Sequence, residues 1–347
     1  MEIINSIMSN LEFTWFSAFV ILLAGYAILD GFDLGVGMLH LYAGNDSERR
    51  LLLNSIGPVW DGNEVWLVTA GGALFAGFPD VYATFCTAFY IPIMLLLSGL
   101  IFRAVAIEFR SKQPMRWWRT MWDVLFSGAS FIIAIGLGIV MGNLVTGIPL
   151  DKEGEYMGTL ADLLRPYTFL TGFLTASLFL MHGTIFALMK TEGAFHDKIR
   201  KAVNPTIILF IMLYAITTVT TLIYFPYMGE TIRDRPVFFG VALVNMFAIA
   251  NIPREISKGR DGRAFLSSSV NIVCLLALYG IGSYPDVLMA SNDPLNLSLT
   301  IYNSASSQKT LEILHIIALI GVPLVISYTV AIYWIFRGKV KLDSMSY

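Results

Sequence analysis

The chain is poor in charged residues. Of its 347 residues only 14% are Asp, Glu, Lys or Arg, whereas soluble globular domains carry about 25%. Together with 56% hydrophobic residues and a mean hydropathy of +0.68, this deficit excludes a water-soluble enzyme and a disordered chain. The net charge of −2 provides no basic surface for nucleic acid, so we expect no nucleic-acid partner. The composition predicts an integral membrane protein.

Cysteine and histidine are also scarce, which removes several chemistries. The two cysteines, Cys86 and Cys274, lie in apolar runs, and no C-x-x-C motif is present to bind zinc or attach haem covalently. Neither a phosphate-binding G-x-x-x-x-G-K-[ST] motif nor a metalloprotease H-E-x-x-H motif occurs. Two of the four histidines, His182 and His315, fall inside predicted spans but at different expected depths. We therefore expect no metal site, no haem ligand and no catalytic residue in this chain.

Apolar runs separated by charged clusters predict an all-α membrane protein of about nine transmembrane helices, each about 20 residues or longer. The run 236–253 is the weakest, because it is short and contains Asn245 and Asn251. No long linker separates the runs, so we interpret residues 1–347 as a single transmembrane domain. The predicted limits are 13–40, 52–78, 80–109, 121–143, 163–189, 202–226, 236–253, 264–288 and 311–336.

The basic residues of the loops predict the orientation. When sides are assigned alternately from the N-terminal tail, five Lys and Arg fall on the side of the tail and eighteen of the 23 on the other. Basic loops remain in the cytoplasm, because they resist translocation. The sequence therefore predicts an N-terminus outside and a C-terminus in the cytoplasm.

Four carboxylates interrupt the first two predicted helices. Asp30 and Asp33 follow a long apolar run and are spaced to share one helix face, and Asp61 and Glu64 repeat the spacing in the second helix. Each ionised group near the centre of a span costs about 2.5 to 3.5 kcal/mol on insertion scales. We therefore expect these side chains to face the interior of a bundle.

Two interpretations of these carboxylates remain open. Burial disfavours the charged form, so such groups can hold protons and relay them. Alternatively the cluster is structural: Arg103, or a basic residue of another chain, neutralises the charge and Asn63 satisfies the remaining hydrogen bonds. Arg103 lies at the end of the third predicted helix and Asp123 at the start of the fourth, both on the cytoplasmic side.

Several segments of the chain place polar residues within apolar sequence. Together they resemble subunit II of cytochrome bd-type quinol oxidases, and the likeness extends from residue 13 to residue 337. The second segment is the most specific, because it is long and polar where lipid would exclude polar residues. The segments are YAILDGFDLGVGML, NSIGPVWDGNEVWLVTAGGALFAGFP, RWWRTMWD, GNLVTGIP and PLNLSLTIYNSASSQ.

The resemblance implies an architecture, partners and an activity. Its fold would be two four-helix bundles plus a peripheral helix, paired with a subunit I and in many members with a small single-span subunit. The complex lies in a bacterial or archaeal-type cytoplasmic membrane, oxidises quinol and reduces dioxygen to water, and generates membrane potential without pumping. Two b-type haems and one d-type haem belong to subunit I, so the isolated chain is expected to be inactive. Subunit II would support the haem-bearing subunit and help to form proton or oxygen routes, and some members hold a structural quinone or a lipid in it.

The resemblance also assigns roles to residues. Asp61 matches a proposed proton-path carboxylate, and Asp30 and Asp33 match the family's aspartates near the cytoplasmic mouth, so we expect a route past these two to Asp61 and on into subunit I. Position 64 departs from the pattern, since Glu64 stands where other members carry Gln, and it ranks below Asp61 for that reason. The polar residues expected at an interface or a cavity are Trp60, Asn63, Arg103 and Asp123.

A proton-coupled transporter with many spans is the alternative from another functional class. Interior carboxylates and glycine-rich helices are compatible with one. Inverted repeats with paired broken helices would favour it, but no corresponding Gly/Pro break occurs in the two halves of the sequence. The sequence therefore favours the oxidase subunit.

Overall fold

A computed structural model describes residues 10–342, which are almost entirely helical. A short two-stranded antiparallel sheet, formed by β1 (Asp286–Leu288) and β2 (Leu299–Thr300), lies in the segment before the last helix. The helices are α1 (Leu11–Leu39), α2 (Asp46–Ile56), α3 (Trp60–Gly77), α4 (Pro79–Ala88), α5 (Tyr90–Phe109), α6 (Arg116–Thr146), α7 (Leu160–Leu163), α8 (Pro166–Lys190), α9 (Gly193–Tyr224), α10 (Glu230–Asp234), α11 (Phe239–Ser257), α12 (Asp261–Ser283), α13 (Pro294–Leu297) and α14 (Gln308–Ile335).

Within residues 10–342, eight helical segments are long and apolar enough to cross a membrane. They contain α1, α5, α6, α8, α9, α11, α12 and α14. The mean hydropathy of the apolar stretch in each lies between 1.6 and 2.3. The weakest predicted run, 236–253, is among them. These helices confirm the prediction of an all-α integral membrane protein.

The prediction of one continuous helix over 52–78 is wrong. The structure divides this stretch into α2 and α3, with Gly57 and Pro58 between them. Pro58 has no N–H with which to continue the hydrogen bonding of α2, so a break there is expected. The 18-residue α3 is not among the eight apolar segments, because Asp61, Asn63 and Glu64 make its first turns polar.

Three further boundaries differ from the prediction. The run 80–109 is interrupted at Phe89, between α4 and α5. The run 264–288 is helical only to Ser283, because Pro285 follows and the chain then enters β1. On the opposite side α9 extends the predicted 202–226 helix back to Gly193, since its first turns are polar but still helical.

Helix α8 lies at the centre of the molecule, packed against α1, α6, α9 and α12. The backbones of α1 and α8 touch where they cross. A Cβ on Gly35 would lie 1.9 Å from the carbonyl oxygen of Phe179, and a Cβ on Gly183 would lie 2.5 Å from the Cα of Gly35. Only glycine permits this approach, which is how small residues bring membrane helices together.

Helix α14 lies at the edge of the molecule. It packs chiefly against α3 and α1, and within its most apolar window no residue is buried. Exposed apolar side chains also cover one face of α3, including Val65, Val68 and Phe75. These faces are suited to lipid or to another membrane subunit.

Candidate functional site

A cluster of ionisable side chains is enclosed where α1, α3 and α5 meet. Arg103 of α5 and Asp30 of α1 have no exposed surface, and their Nη2 and Oδ1 atoms are 3.1 Å apart. The guanidinium also donates through Nη1 to the second oxygen of Asp30, at 3.4 Å, and to Oε1 of Glu64, at 3.2 Å. The Glu64 side chain is 20% exposed. Arg103 therefore links a fully buried carboxylate to one that reaches the surface of α3.

Asn63 connects this group to Asp33. Its Nδ2 donates to Oδ2 of Asp33, at 2.7 Å, and to the carbonyl oxygen of Leu29, at 3.2 Å. Its Oδ1 accepts from the hydroxyl of Tyr333 on α14, at 2.9 Å. The amide thus has partners on both sides, and it fixes Asp33 in a fully buried position. We call Asp30, Asp33, Asn63, Glu64 and Arg103 the buried cluster.

The charges of the buried cluster do not balance. The cluster contains three carboxyl groups and one guanidinium, which contacts Asp30 and Glu64. Two excess negative charges in an apolar interior would be costly, because burying an unpaired ion costs several kcal/mol. Moreover Oδ1 of Asp33 and Nε of Arg103 are buried without a hydrogen-bond partner among residues 10–342. The arrangement is suited to carboxyl groups that bind protons.

A second group of charges lies nearer the ends of α1, α5 and α6. Asp123 is fully buried, accepts from Arg49 at 2.6 Å, and also contacts Arg110 and the Nε2 of His40. Arg110 extends the network to Asp46, at 3.0 Å. We call these five residues the end cluster. Asp46 in turn reaches Arg119, at 3.1 Å, and its side chain is 43% exposed, so the end cluster connects a buried carboxylate with solvent.

The structure brings together most of the residues singled out in the sequence, but in two groups. Asp30, Asp33, Asn63, Glu64 and Arg103 form the buried cluster, whereas Asp123 belongs to the end cluster although it flanks the same loop as Arg103. Trp60 is half-buried and packs against the core. Asp61 stands apart from both, exposed at the start of α3 on its apolar outer face.

Sequence reasoning missed the partners of Asp123 and of Asn63. Arg49, Arg110 and Asp46 resemble ordinary solvated loop charges, although Arg110 precedes a carboxylate embedded in apolar sequence by only 13 residues. That spacing, across a short loop, could have suggested a pair. Tyr333 is 270 residues from Asn63, and no local pattern in the sequence connects them.

One of the two histidines in the predicted spans, His182, has no free ring nitrogen. His182 is fully buried, its Nδ1 lies 2.6 Å from the hydroxyl of Ser268 and its Nε2 lies 3.1 Å from the carbonyl oxygen of Ile28. Both ring nitrogens are therefore engaged, and the ring stacks on Phe265 with centroids 4.6 Å apart. Within residues 10–342 no group of three or more His, Cys, Asp or Glu side chains is arranged to hold a metal ion.

Outside the spans, Glu48 fastens α2 to α9. Its Oε2 accepts from Nζ of Lys198 and from the backbone N–H of Gly44, both at 2.7 Å. Partial burial alone would raise the pKa of the Glu48 carboxyl, but the hydrogen bonds from Lys198 and Gly44 outweigh it and lower the pKa. The carboxylate form is therefore the one that the fold stabilises.

Known proteins are similar to this chain in sequence and in fold. The model of the family described as cytochrome bd terminal oxidase subunit II matches residues 11–336. The chain is 32% identical to cytochrome bd-I ubiquinol oxidase subunit 2 of Escherichia coli strain K12, over 96% of each chain. It is also 32% identical to cytochrome bd ubiquinol oxidase subunit 2 of Bacillus subtilis strain 168, over 96% of this chain and 98% of that one.

The fold agrees with that comparison. A chain in the structure of the bd oxidase from Geobacillus thermodenitrificans superposes with a TM-score of 0.78 at 19% identity, covering 94% of this chain and 98% of that chain. The agreement in fold extends over almost the whole length, as the agreement in sequence does. The chain belongs to the family of cytochrome bd terminal oxidase subunit II.

Proposed function

We propose that this chain is the subunit of a quinol-oxidising, dioxygen-reducing complex that binds no haem itself and conducts protons toward the haem-bearing subunit I. The observation that carries the proposal is the buried cluster, in which three carboxyl groups share one guanidinium. Its relatives are named as subunits of ubiquinol oxidases. The engaged nitrogens of His182 support the assignment of the two b-type haems and the d-type haem to subunit I.

Reduction of dioxygen to water consumes protons inside the membrane, and each needs a path. The end cluster provides an entrance, because Asp46 is exposed and Asp123 is buried. From His40 to Asp33 the distance along α1 is about 10 Å at 1.5 Å per residue. Nδ1 of His40 and Oδ1 of Asp33 are both buried atoms without a partner among residues 10–342. Buried polar atoms of this kind bind ordered water, which can bridge the interval.

The interval is not purely apolar. Ser130 of α6 is fully buried and its hydroxyl lies so close to Gly37 that a Cβ there would be 2.1 Å from it. Gly37 lies between Asp33 and His40 on α1. The hydroxyl donates to the carbonyl oxygen of Phe126, at 2.7 Å, and its oxygen can accept a hydrogen bond from a water, so Ser130 is suited to the middle of the route.

The exit lies on the outer face of α3. Glu64 contacts Arg103 and is partly exposed, and Asp61 precedes it by three residues on the same helix. The other exposed residues of this face are apolar, including Val65 and Val68, so we propose that it contacts subunit I and that Asp61 passes protons across the interface. Glu64 serves as a hydrogen-bonding link rather than as an essential titrating group.

The proposal extends to the arrangement of the chain in the membrane. We propose that the chain crosses the membrane nine times, once with each of the eight apolar segments and once with α3. The N-terminus would lie outside and the C-terminus in the cytoplasm. Packing of α1 and α6 with α3 and α5, and of α8 and α12 with α9 and α11, supports two four-helix bundles, and the position of α14 supports a peripheral helix. The membrane would be the cytoplasmic membrane of a bacterium or an archaeon. Further partners would be a small single-span subunit and a bound quinone or lipid.

The experiment replaces Asp61 by Asn in the assembled complex. We expect quinol-dependent oxygen consumption and membrane-potential generation to fall at least about tenfold with haem content intact, because an amide cannot carry the proton. The matched control is Asp80→Asn. Asp80 is an exposed carboxylate in the first turn of α4, at the end of α3 opposite to Asp61, and its replacement is expected to leave both rates unchanged.

Two outcomes of the same experiment would contradict proton conduction. Normal oxygen consumption and normal potential in Asp61→Asn would remove Asp61 from the route. Loss of haem from the variant complex would instead assign Asp61 to holding the subunits together. Glu64→Gln is expected to retain most of the activity, since Gln can accept the same hydrogen bond from Arg103.

A further inference from the structure

An open cleft lies between the first turn of α12, the last turn of α8 and the segment after α14. Its volume is about 490 Å³, and the residues that line it include three with cationic side chains and one with an acidic side chain. The cations are Arg260, Arg263 and Lys339, and the acid is Asp261. None of these residues belongs to the buried cluster or to the end cluster. We call this feature the basic cleft.

The acidic residue does not neutralise the basic cleft. Arg200 of α9 donates through Nη2 to both oxygens of Asp261, at 2.9 and 3.2 Å, so that charge is already balanced. Glu255 is 3.9 Å from Arg260 and is shared with Arg254, at 3.6 Å. Arg263 and Lys339 form no ion pair with a carboxylate among residues 10–342. The cleft therefore has a net positive charge.

The end of α12 adds to that positive charge. Helix N-termini favour Asp, Asn, Ser or Thr, whose oxygens accept from the first free N–H groups, and they disfavour cations. Here the residue before the 23-residue helix is Arg260, whose side chain makes no capping hydrogen bond, and Arg263 lies in the first turn. Arg263 shares this first turn with Asp261, which is paired with Arg200, so Arg263 has no carboxylate partner there among residues 10–342.

The third cation is held in place by the backbone. The N–H of Val340 donates to the carbonyl oxygen of Lys190, at 2.9 Å, and Nζ of Lys339 reaches the carbonyl oxygen of Leu188, at 3.5 Å. The segment after α14 therefore lies against the end of α8. It brings a lysine to the end of α12 from a distant part of the sequence.

The basic cleft lies where α8 and α14 end and α12 begins, on the side of the chain that has most of the Lys and Arg residues. Basic pockets between helices on the cytoplasmic side of membrane proteins bind lipid headgroups. Arginine and lysine both bind phosphate oxygens well, arginine through paired N–H groups.

We propose that the basic cleft binds a phosphate group, with Arg263 and Lys339 contacting its oxygens and Arg260 and the N-terminus of α12 completing the site. Its position at the ends of three spans points to the headgroup of an anionic phospholipid as the source. Free phosphate is the other source of the same chemistry. The inference does not depend on the proposed proton route.

The test uses the complex purified in detergent and stripped of lipid, with phosphatidylglycerol added and bound copies counted by native mass spectrometry. In the double variant Arg263→Gln/Lys339→Gln we expect the tightest lipid to bind at least about tenfold more weakly, since each cation near a phosphate contributes substantially. The matched control, Lys201→Gln/Lys258→Gln, removes two exposed charges on the same side that do not line the cleft.

Two further arms distinguish the sources of phosphate. Phosphatidylcholine, which is zwitterionic, is expected to bind equally to all three proteins, and millimolar inorganic phosphate is expected not to displace phosphatidylglycerol. Displacement by inorganic phosphate from the parent complex but not from the double variant would identify free phosphate as the ligand. Equal binding of phosphatidylglycerol to the double variant and the control, with equal haem spectra, would overturn the proposal.

Discussion

At the scale of single residues, Arg103 is the cation of the buried cluster. It is fully buried and contacts Asp30 and Glu64 at 3.1 and 3.2 Å. A buried ion pair of this kind adds little net stability compared with apolar residues, but removing one member leaves the other charge without a partner. Arg103 therefore determines how much negative charge the buried cluster can hold.

We expect Arg103→Gln to destabilise the chain by about 3 to 5 kcal/mol, because three carboxyl groups then share no cation. The measurement is the midpoint of thermal haem loss from the assembled complex. Arg119→Gln removes a cation whose pair with Asp46 is partly exposed, and it is expected to cost no more than about 1 kcal/mol.

A double variant tests the reason for that loss. Adding Asp30→Asn to Arg103→Gln removes one of the unpartnered carboxylates, so we expect it to recover part of the lost stability. If the two changes were simply additive, the contact between Arg103 and Asp30 would have no energetic role.

At the scale of helices, the contact between α1 and α8 depends on two residues without side chains. Gly35 and Gly183 meet with their backbones in contact, and neighbouring aromatic rings pack around the crossing, with Phe32 and Phe186 stacked at 3.9 Å. The G-x-x-x-G pattern at Gly31 and Gly35 indicates such a crossing but not its partner. The partner is 148 residues away in the sequence, which no local pattern reveals.

We expect Gly35→Ala to separate α1 from α8 and to lower the yield of folded complex severalfold, since the new methyl group would lie 1.9 Å from a backbone oxygen. Gly136→Ala in α6 is the control, because its methyl group would meet nothing within 4 Å. Alanine favours a helix by about 1 kcal/mol over glycine, so the control should be neutral or stabilising. Equal yields of the two variants would contradict the role of the crossing.

The link between α2 and α9 should depend on pH. The pKa of the Glu48 carboxyl is lowered in the folded chain by Lys198 and Gly44, despite partial burial, so its contribution is complete above the unfolded pKa of about 4.3. It is lost as the pH falls through the lower pKa of the folded state.

We therefore expect Glu48→Gln to lower the thermal midpoint slightly at pH 7, by the equivalent of less than about 1 kcal/mol. The difference between the variant and the parent should shrink as the pH falls below about 4. Asp151→Asn, on a different loop, reports any general effect of a lost carboxylate. A difference that grew toward low pH would contradict the assigned sign.

At the scale of the whole molecule, composition and hydropathy predicted the membrane-spanning helices well. They predicted few of the contacts between residues. The apolar runs located every one of the eight apolar spans, because lipid requires each to be long and uninterrupted. The break at Gly57 and Pro58, between α2 and α3, was hidden inside one such run. Tyr333 was missed because its contact depends on how distant helices pack, which periodicity does not specify, whereas the spacing of Arg110 from Asp123 could have suggested their pair.

The orientation predicted from loop charge can be measured directly. In a chain with Cys86→Ser and Cys274→Ser, we expect Lys258→Cys to react with a membrane-impermeant maleimide only after the membrane is opened. Glu153→Cys should react in intact cells, because the loop after α6 is predicted to lie outside. Both positions are exposed in the structure. The reverse pattern would invert the proposed topology.

The pairing of Asp30 with Arg103 also bears on how the chain is made. The two residues are 73 positions apart, so α1 enters the membrane long before its cation is synthesised. Asp30 would then face lipid or the insertion machinery without its cation, which is unfavourable for a polar side chain within a span. Helix α3 is also synthesised before α5, and its polar first turns leave it less apolar than the eight apolar segments. The contact between α1 and α5 thus forms only when α5 has arrived, and enclosure of Asp30 would be among the last steps in the assembly of this part of the chain.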